Sequence, residues 1–292
     1  MKKLALVVMV AMLAASVGLA QQSINERRPA EPGGVVEIEN VAGSVRVVGW
    51  ERGEVEVTGT LGRGTERLEL SGGPGRTLVK VVLPKHAHDV DGSDLTVKVP
   101  AGSRLEVETV SADVTAEQVA GVLDLETVSG SVRVAGKPTE VKAQSVSGDV
   151  EVPAVDGPVR AQSVSGRVSL LGARGSVEVS SVSGSIKVVG ADVESGELET
   201  VSGTITFEGD VAGAGRLEVE TVSGEVELRL PASVAADFRV SSFSGGIVNE
   251  LGPAARRTHE HGPGWELEFT TGAGGARVEV KSMSGQVTLR KK

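Results

Sequence analysis

The chain has 292 residues, 30 Lys and Arg against 39 Asp and Glu, a formal net charge of −9 and no cysteine, so disulfides play no part in its stability. Two Trp, four Phe and no Tyr supply no series of aromatic platforms, and the acidic balance supplies no basic footprint. Together these exclude an ordinary nucleic-acid binder.

The N-terminus opens with Lys2-Lys3, an apolar run from Leu4 to about Ala15, and Gly18-Leu19-Ala20 before Gln21. This pattern predicts a signal peptide over residues 1–20, cleaved near Ala20-Gln21, since the run is too short to favour a stable span. No cysteine follows it to carry a lipid anchor, and no later apolar run predicts a transmembrane segment. The expected location is therefore outside the cytoplasm: periplasm, cell surface or medium. Residues 21–34, polar with Pro and Gly, read as a linker. Over 35–100 apolar and polar residues alternate (Val45, Val47; Val55, Val57; Val79, Val81; Leu95, Val97, Val99) in units of uneven length, which predicts irregular N-terminal β rungs or a cap.

A short phrase recurs, once at residues 40–43 and then repeatedly from residue 109 onward: a hydroxyl or amide residue, an apolar residue, Ser or Ala, then Gly or Ala. Its copies end at Gly43, Ala112, Gly130, Gly148, Gly166, Gly184, Gly203, Gly224, Gly245 and Gly285, and from Ala112 they advance by 18, 18, 18, 18, 19, 21, 21 and 40 residues. Fixed short periods mean stacked units. In one unit, Leu123 and Leu125 have one parity and Val132 and Val134 the other, so the chain bends at the phrase. The nine glycines are thus expected at structural corners, and the recurrent Ser and Thr are expected to satisfy backbone groups there, since a nucleophile would need one serine beside one base. The fold expected is all-β: a single-chain parallel β-solenoid, or β-helix, of roughly 18–21-residue rungs over 101–292, closed by a C-terminal cap.

In-register stacking places residues 18 apart side by side, pairing Asp149 with Arg167, Arg133 with Glu151, Asp124 with Lys142 and Arg160 with Glu178, opposite in charge each time. Near the C-terminus, Pro253 to Gly264 reads as a loop, and Arg290-Lys291-Lys292 is expected to blunt the last strand edge. Five of the six aromatics (Phe207, Phe238, Phe243, Trp265, Phe269) fall in the final third, where they are expected to fill a wider core or cap the last rungs.

Metal chemistry has two sources. Histidines cluster in His86-Ala87-His88-Asp89 and His259-Glu260-His261. His86 and His88 would share a strand face, and Asp89, Asp91 and Asp94 surround a Gly turn as calcium ligands would, without EF-hand spacing. Solvated loop histidines and ordinary turn chemistry explain the same residues, so the reading assigns no metal, no cofactor and no catalytic residue.

The phrases Glu39-Asn40-Val41-Ala42-Gly43-Ser44-Val45-Arg46-Val47 with Gly49-Trp50, Leu105-Glu106-Val107-Glu108-Thr109-Val110-Ser111, and the run of Val-Ser-Gly corners resemble the bacterial putative-adhesin family, domain-of-unknown-function family 4097, over about residues 35–290. Ala112 departs from the glycine pattern. The resemblance implies a β-strand-repeat fold and carries no catalytic motif. The function expected is an exported, non-catalytic adhesin or cell-envelope scaffold presenting an acidic, repetitive surface to an envelope protein, surface protein or polysaccharide. The rivals are a polysaccharide-binding or polysaccharide-cleaving β-helix protein, and an accessory or sensor protein in envelope signalling.

Overall fold

The burial pattern follows the alternation. Leu123, Leu125 and Thr127 point inward, Val128 and Ser129 are both exposed, and Gly130, Val132 and Val134 are buried again. Two successive outward residues reverse the phase, and each unit therefore contributes two short strands meeting at a corner. A computed structural model describes residues 22–85, 90–153, 155–258 and 262–292, and among these it has 23 strands and no helix. The expected signal peptide and its cleavage point lie outside the described residues.

The architecture is all-β and solenoid-like, with a mixed parallel and antiparallel sheet. Through the middle, pairing is parallel and in register: Val141 lies between Leu123 and Val159, and Val150 between Val132 and Val168. Beyond Gly175 the units lengthen, and the extra residues appear as register shifts between Gly175 and Ser176 and between Val193 and Ser195. The interior is one continuous column of Val, Leu, Ile and Ala, each large side chain worth about 1.5–3 kcal/mol when fully buried. Phe207 is fully buried, and Phe238 stacks on Phe269 at 4.5 Å, both filling the wider C-terminal part.

At both ends the fold departs from an all-parallel solenoid. Residues 35–48 lie between the rung at 104–117 and an outer rung built from Arg76–Val82 and Ser93–Pro100. Likewise Ala276–Ser282 and Val287–Lys291 lie between the rung at 216–230 and the outer rung of Ala236–Ser242 and Ile247–Asn249. Antiparallel strands then close each end: Arg67–Gly73, Glu54–Leu61 and Gln22–Pro29 at one, Trp265–Thr270 and Arg256–Arg257 at the other. The physical reason is the open edge. A purely parallel stack ends on unpaired backbone groups, and a hairpin strand folded back over that edge satisfies them.

Two expectations are corrected by this arrangement. Residues 22–29, read as linker, form a strand against Glu54–Leu61 with Ile24 turned inward. Arg290-Lys291-Lys292 does not end the outermost strand: Val287–Leu289 lie between two rungs, Arg290 and Lys291 pair on one side with Arg229 and Leu230, and Arg290 Nε lies 3.3 Å from Glu227 and Lys292 Nζ 3.6 Å from Glu208. The N-terminal end also holds Glu56, buried and accepting a hydrogen bond from Lys98 Nζ at 2.7 Å, with Arg27 beside it. The Lys98 hydrogen bond holds the Glu56 carboxyl below its ordinary pKa, with Arg27 adding to it.

Candidate functional site

The corners stack into a single column, and its geometry comes from three residues per rung. First, the hydroxyl at the opening of the phrase is buried, and at Thr127, Ser145 and Ser163 it is used twice. Ser145 Oγ accepts from Gly148 N–H (2.8 Å) and donates to the Gly130 carbonyl of the preceding rung (3.0 Å); Ser163 repeats this with Gly166 (2.9 Å) and Gly148 (3.1 Å). The bend takes these backbone groups out of the ladder, and the hydroxyl restores their partners.

Second, the glycine permits the rungs to approach. A Cβ on Gly148 would lie 1.9 Å from the Gly130 oxygen. No corner glycine from Gly130 to Gly245 has positive φ, so crowding and not conformation selects glycine there. Ala112 stacks on Gly43, whose φ of +104° turns that first corner differently. Each of the nine expected corner glycines, Gly43 through Gly285, falls in this column, in the spatial order 43, 130, 148, 166, 184, 203, 224, 285, 245 with Ala112 after Gly43.

Third, the apolar residue of the phrase points to solvent. Val41, Val110, Val128, Val146, Val164, Val182, Val201, Val222, Met283 and Phe243 form an exposed ridge, from 37% exposure at Val41 to 57% at Phe243. The backbone keeps them in line: Ser147 N–H bonds the Val128 carbonyl at 2.9 Å, Ser223 N–H the Val201 carbonyl at 2.9 Å, and Ser284 N–H the Val222 carbonyl at 2.8 Å. Phe243, expected in the core or cap, is the last member of this ridge.

Beside the ridge runs an open groove of about 1050 Å³. Its far wall is an in-register column of polar residues: Glu108, Glu126, Gln144, Gln162, Ser180, Glu199, Glu220 and Lys281. Charges along this wall are unevenly settled. Lys142 Nζ reaches Glu126 at 2.5 Å and Asp124 at 3.1 Å, the Glu126 contact first raising the lysine pKa. Gln144 Nε2 donates to Gln162 Oε1 at 3.1 Å. Lys281 Nζ lies 2.7 Å from Glu220, 3.0 Å from Glu218 and 3.2 Å from Glu279, which together raise its pKa, while its hydrogen bond to Glu218 lowers that carboxyl. Glu199 goes the other way: burial, then the charge of Glu197, pushes its carboxyl upward.

The spacing-derived pairs fall as follows. Arg133–Glu151 at 2.9 Å, Lys142–Asp124 at 3.1 Å and Arg160–Glu178 are ion pairs. Asp149 instead accepts the Arg167 backbone N–H at 2.7 Å.

Of the metal candidates, His86, His88 and Asp89 lie outside the described residues. Asp91 is bound to Arg63 Nε at 2.6 Å and Asp94 accepts from Ser44 Oγ at 2.7 Å, and the described residues contain no cluster of metal-ligating side chains. The groove and ridge escaped the sequence reading although their signal was present: Val128 has the parity opposite to Leu125 and Thr127, so a half-buried strand must turn it outward.

The sequence matches the family described as Toastrack DUF4097 over residues 37–188 and again over 159–290. Similar solved structures include a putative adhesin from Bacteroides fragilis, 10% identical, covering 93% of this chain and 98% of that chain with a TM-score of 0.48. A putative adhesin from Parabacteroides distasonis is 11% identical over 91% of this chain and 97% of that chain, TM-score 0.42. A putative lipid binding protein from the same species is 13% identical over 92% and 96%, TM-score 0.41. No curated protein matches the sequence. Among the described residues no helix is long and apolar enough to cross a membrane.

Proposed function

The chain belongs to the Toastrack DUF4097 family, and from that premise we propose that it is an exported, non-catalytic adhesion or envelope-scaffold protein whose binding face is the groove and ridge along its corner column. The carrying observation is the ridge itself: ten apolar side chains from ten stacked corners face solvent in one line. Burying each would be favourable, yet the fold repeats their exposure rung after rung, and contiguous apolar surface of this kind marks an interaction site. The rungs, read as a parallel solenoid of 18–21 residues each, act as a ruler that sets the spacing of whatever is presented. Catalysis finds no support, because hydroxyls such as Ser145 and Ser163 spend both donor and acceptor on backbone groups.

The test is sedimentation of the purified chain with isolated cell envelopes, comparing wild type with Val146→Ser/Val164→Ser/Val182→Ser. These side chains are exposed, so circular dichroism should be unchanged while retention falls at least tenfold. Equal retention of both proteins would overturn the assignment of the ridge as the binding face.

A further inference from the structure

We propose that the C-terminal half of the groove docks an extended polypeptide segment in which basic side chains alternate with aliphatic ones. This deepens the reading of the groove as a binding face and rests on it.

The two walls differ in what they lack. The ridge wall from Val182 through Val201 and Val222 to Met283 lacks apolar cover. The polar wall opposite carries one cation, Lys281, and more carboxylates than the cations around it can pair. Arg160 is committed to Glu178, Arg216 to Glu218, and Lys281 to Glu218, Glu220 and Glu279, and no cation among the described residues pairs with Glu197 or Glu199. The two carboxylates stand on one strand, one residue apart on the same face, with Glu218 and Glu220 on the next rung. The other half of the groove differs, because Lys142 closes Glu126 and Gln144 bonds Gln162. In that half Glu108 is the one wall carboxylate with no cationic partner among the described residues, whereas toward the C-terminal half Glu197 and Glu199 stand together on one rung beside uncovered aliphatic surface.

Spacing favours an extended chain. Three rung steps of about 4.8 Å separate Val182 from Met283, roughly 14 Å, and four residues of an extended peptide at about 3.4 Å cover nearly the same length. Side chains i, i+2 and i+4 of one edge can then cover the valines while the alternate edge carries its cations to Glu197 and Glu199. Other occupants fit less well. A second copy related by a two-fold axis would bring together two patches that each carry the same surplus negative charge. An anionic bilayer would be repelled by the same wall.

A fluorescein-labelled (Lys-Val)5 peptide and the purified chain, followed by fluorescence anisotropy, test this. Binding is expected, weakened at least tenfold by Glu197→Gln/Glu199→Gln and, separately, by Val182→Ser/Val201→Ser, with (Glu-Val)5 and (Lys-Ser)5 at least tenfold weaker than (Lys-Val)5. Unchanged binding by the double Gln variant overturns the proposal, as does (Lys-Ser)5 binding as tightly as (Lys-Val)5. Association of the chain with phosphatidylglycerol vesicles in place of the peptide also overturns it. If no peptide binds while the Val146→Ser/Val164→Ser/Val182→Ser variant still loses envelope retention, this docking assignment falls and the groove reading stands.

Discussion

Between Arg104 and Leu230 every rung lies beside its neighbours in the chain, whereas at both ends the spatial order is shuffled, although the corner phrase is chemically the same in both regions. Val141 pairs with Leu123 and Val159, but Leu217 pairs with Val278, and Val35 with Arg104. The phrase Ser242-Phe243-Ser244-Gly245 forms an ordinary corner, with Gly245 N–H bonding Ser242 Oγ at 3.0 Å, yet its rung sits outside the one that ends the chain. The repeat thus decides the shape of a rung, and the need to close an open edge decides where the end rungs go.

Deletion separates the two regions most strongly. Removing residues 131–148 takes out one complete unit and rejoins like to like, so a cooperative melt and an unchanged β-type circular dichroism spectrum are expected. Removing 276–292 deletes the rung that bridges 216–230 and 236–249 and should abolish cooperative folding of the C-terminal end, read as protease sensitivity beyond residue 230. Equal tolerance of both deletions would erase the distinction between middle and end.

Within the middle, Gly148→Val should cost about 4 kcal/mol or more, because the added carbon meets backbone that cannot retreat. At Gly213, where a Cβ meets nothing within 4 Å, the same change should stay within about 0.5 kcal/mol. Chemical denaturation measures both. Ser145→Ala should cost about 1–3 kcal/mol by stranding the Gly148 N–H and the Gly130 carbonyl, while Ser147→Ala, on the exposed side of the corner, should change little.

The smallest effects lie on the polar wall and carry opposite signs. Glu218 is lowered by Lys281, so its stabilisation is present above the ordinary carboxyl pKa and is lost as pH falls through the lowered value. Glu199 is raised by burial and Glu197, so it opposes folding at neutral pH and ceases to do so once it is protonated. Melting at pH 7 should therefore rise for Glu199→Gln and fall for Glu218→Gln, each by less than about 3 °C. The Glu199→Gln difference should vanish at pH 3.

Much of the middle was legible in the sequence because its physics is local: alternation fixes faces, and a period of 18 puts Lys142 beside Asp124 and Arg133 beside Glu151. The groove was legible in principle, since parity alone turns Val128 outward and the repeated spacing turns Val146, Val164 and Val182 to the same side of the bend. The ends were not legible. Nothing in Ala276–Ser282 distinguishes a strand that pairs with 216–221 on one side and 236–242 on the other from one that caps the stack, because both bury Val278 and Val280 on the same face. Nor does alternation tell an antiparallel edge strand such as Gln22–Pro29 from a polar linker when only Ile24 is firmly apolar and inward.

Cysteine cross-linking at the C-terminal corners tests the shuffled order most directly, and the absence of native cysteine makes it clean. Neighbouring corners stand about 4.8 Å apart, within disulfide reach, and corners two rungs apart do not. The pairs Val222→Cys/Met283→Cys and Met283→Cys/Phe243→Cys should form disulfides under mild oxidation while Val222→Cys/Phe243→Cys does not. A disulfide in the last pair, with none in the first, would show the rungs stacked in chain order and contradict the account.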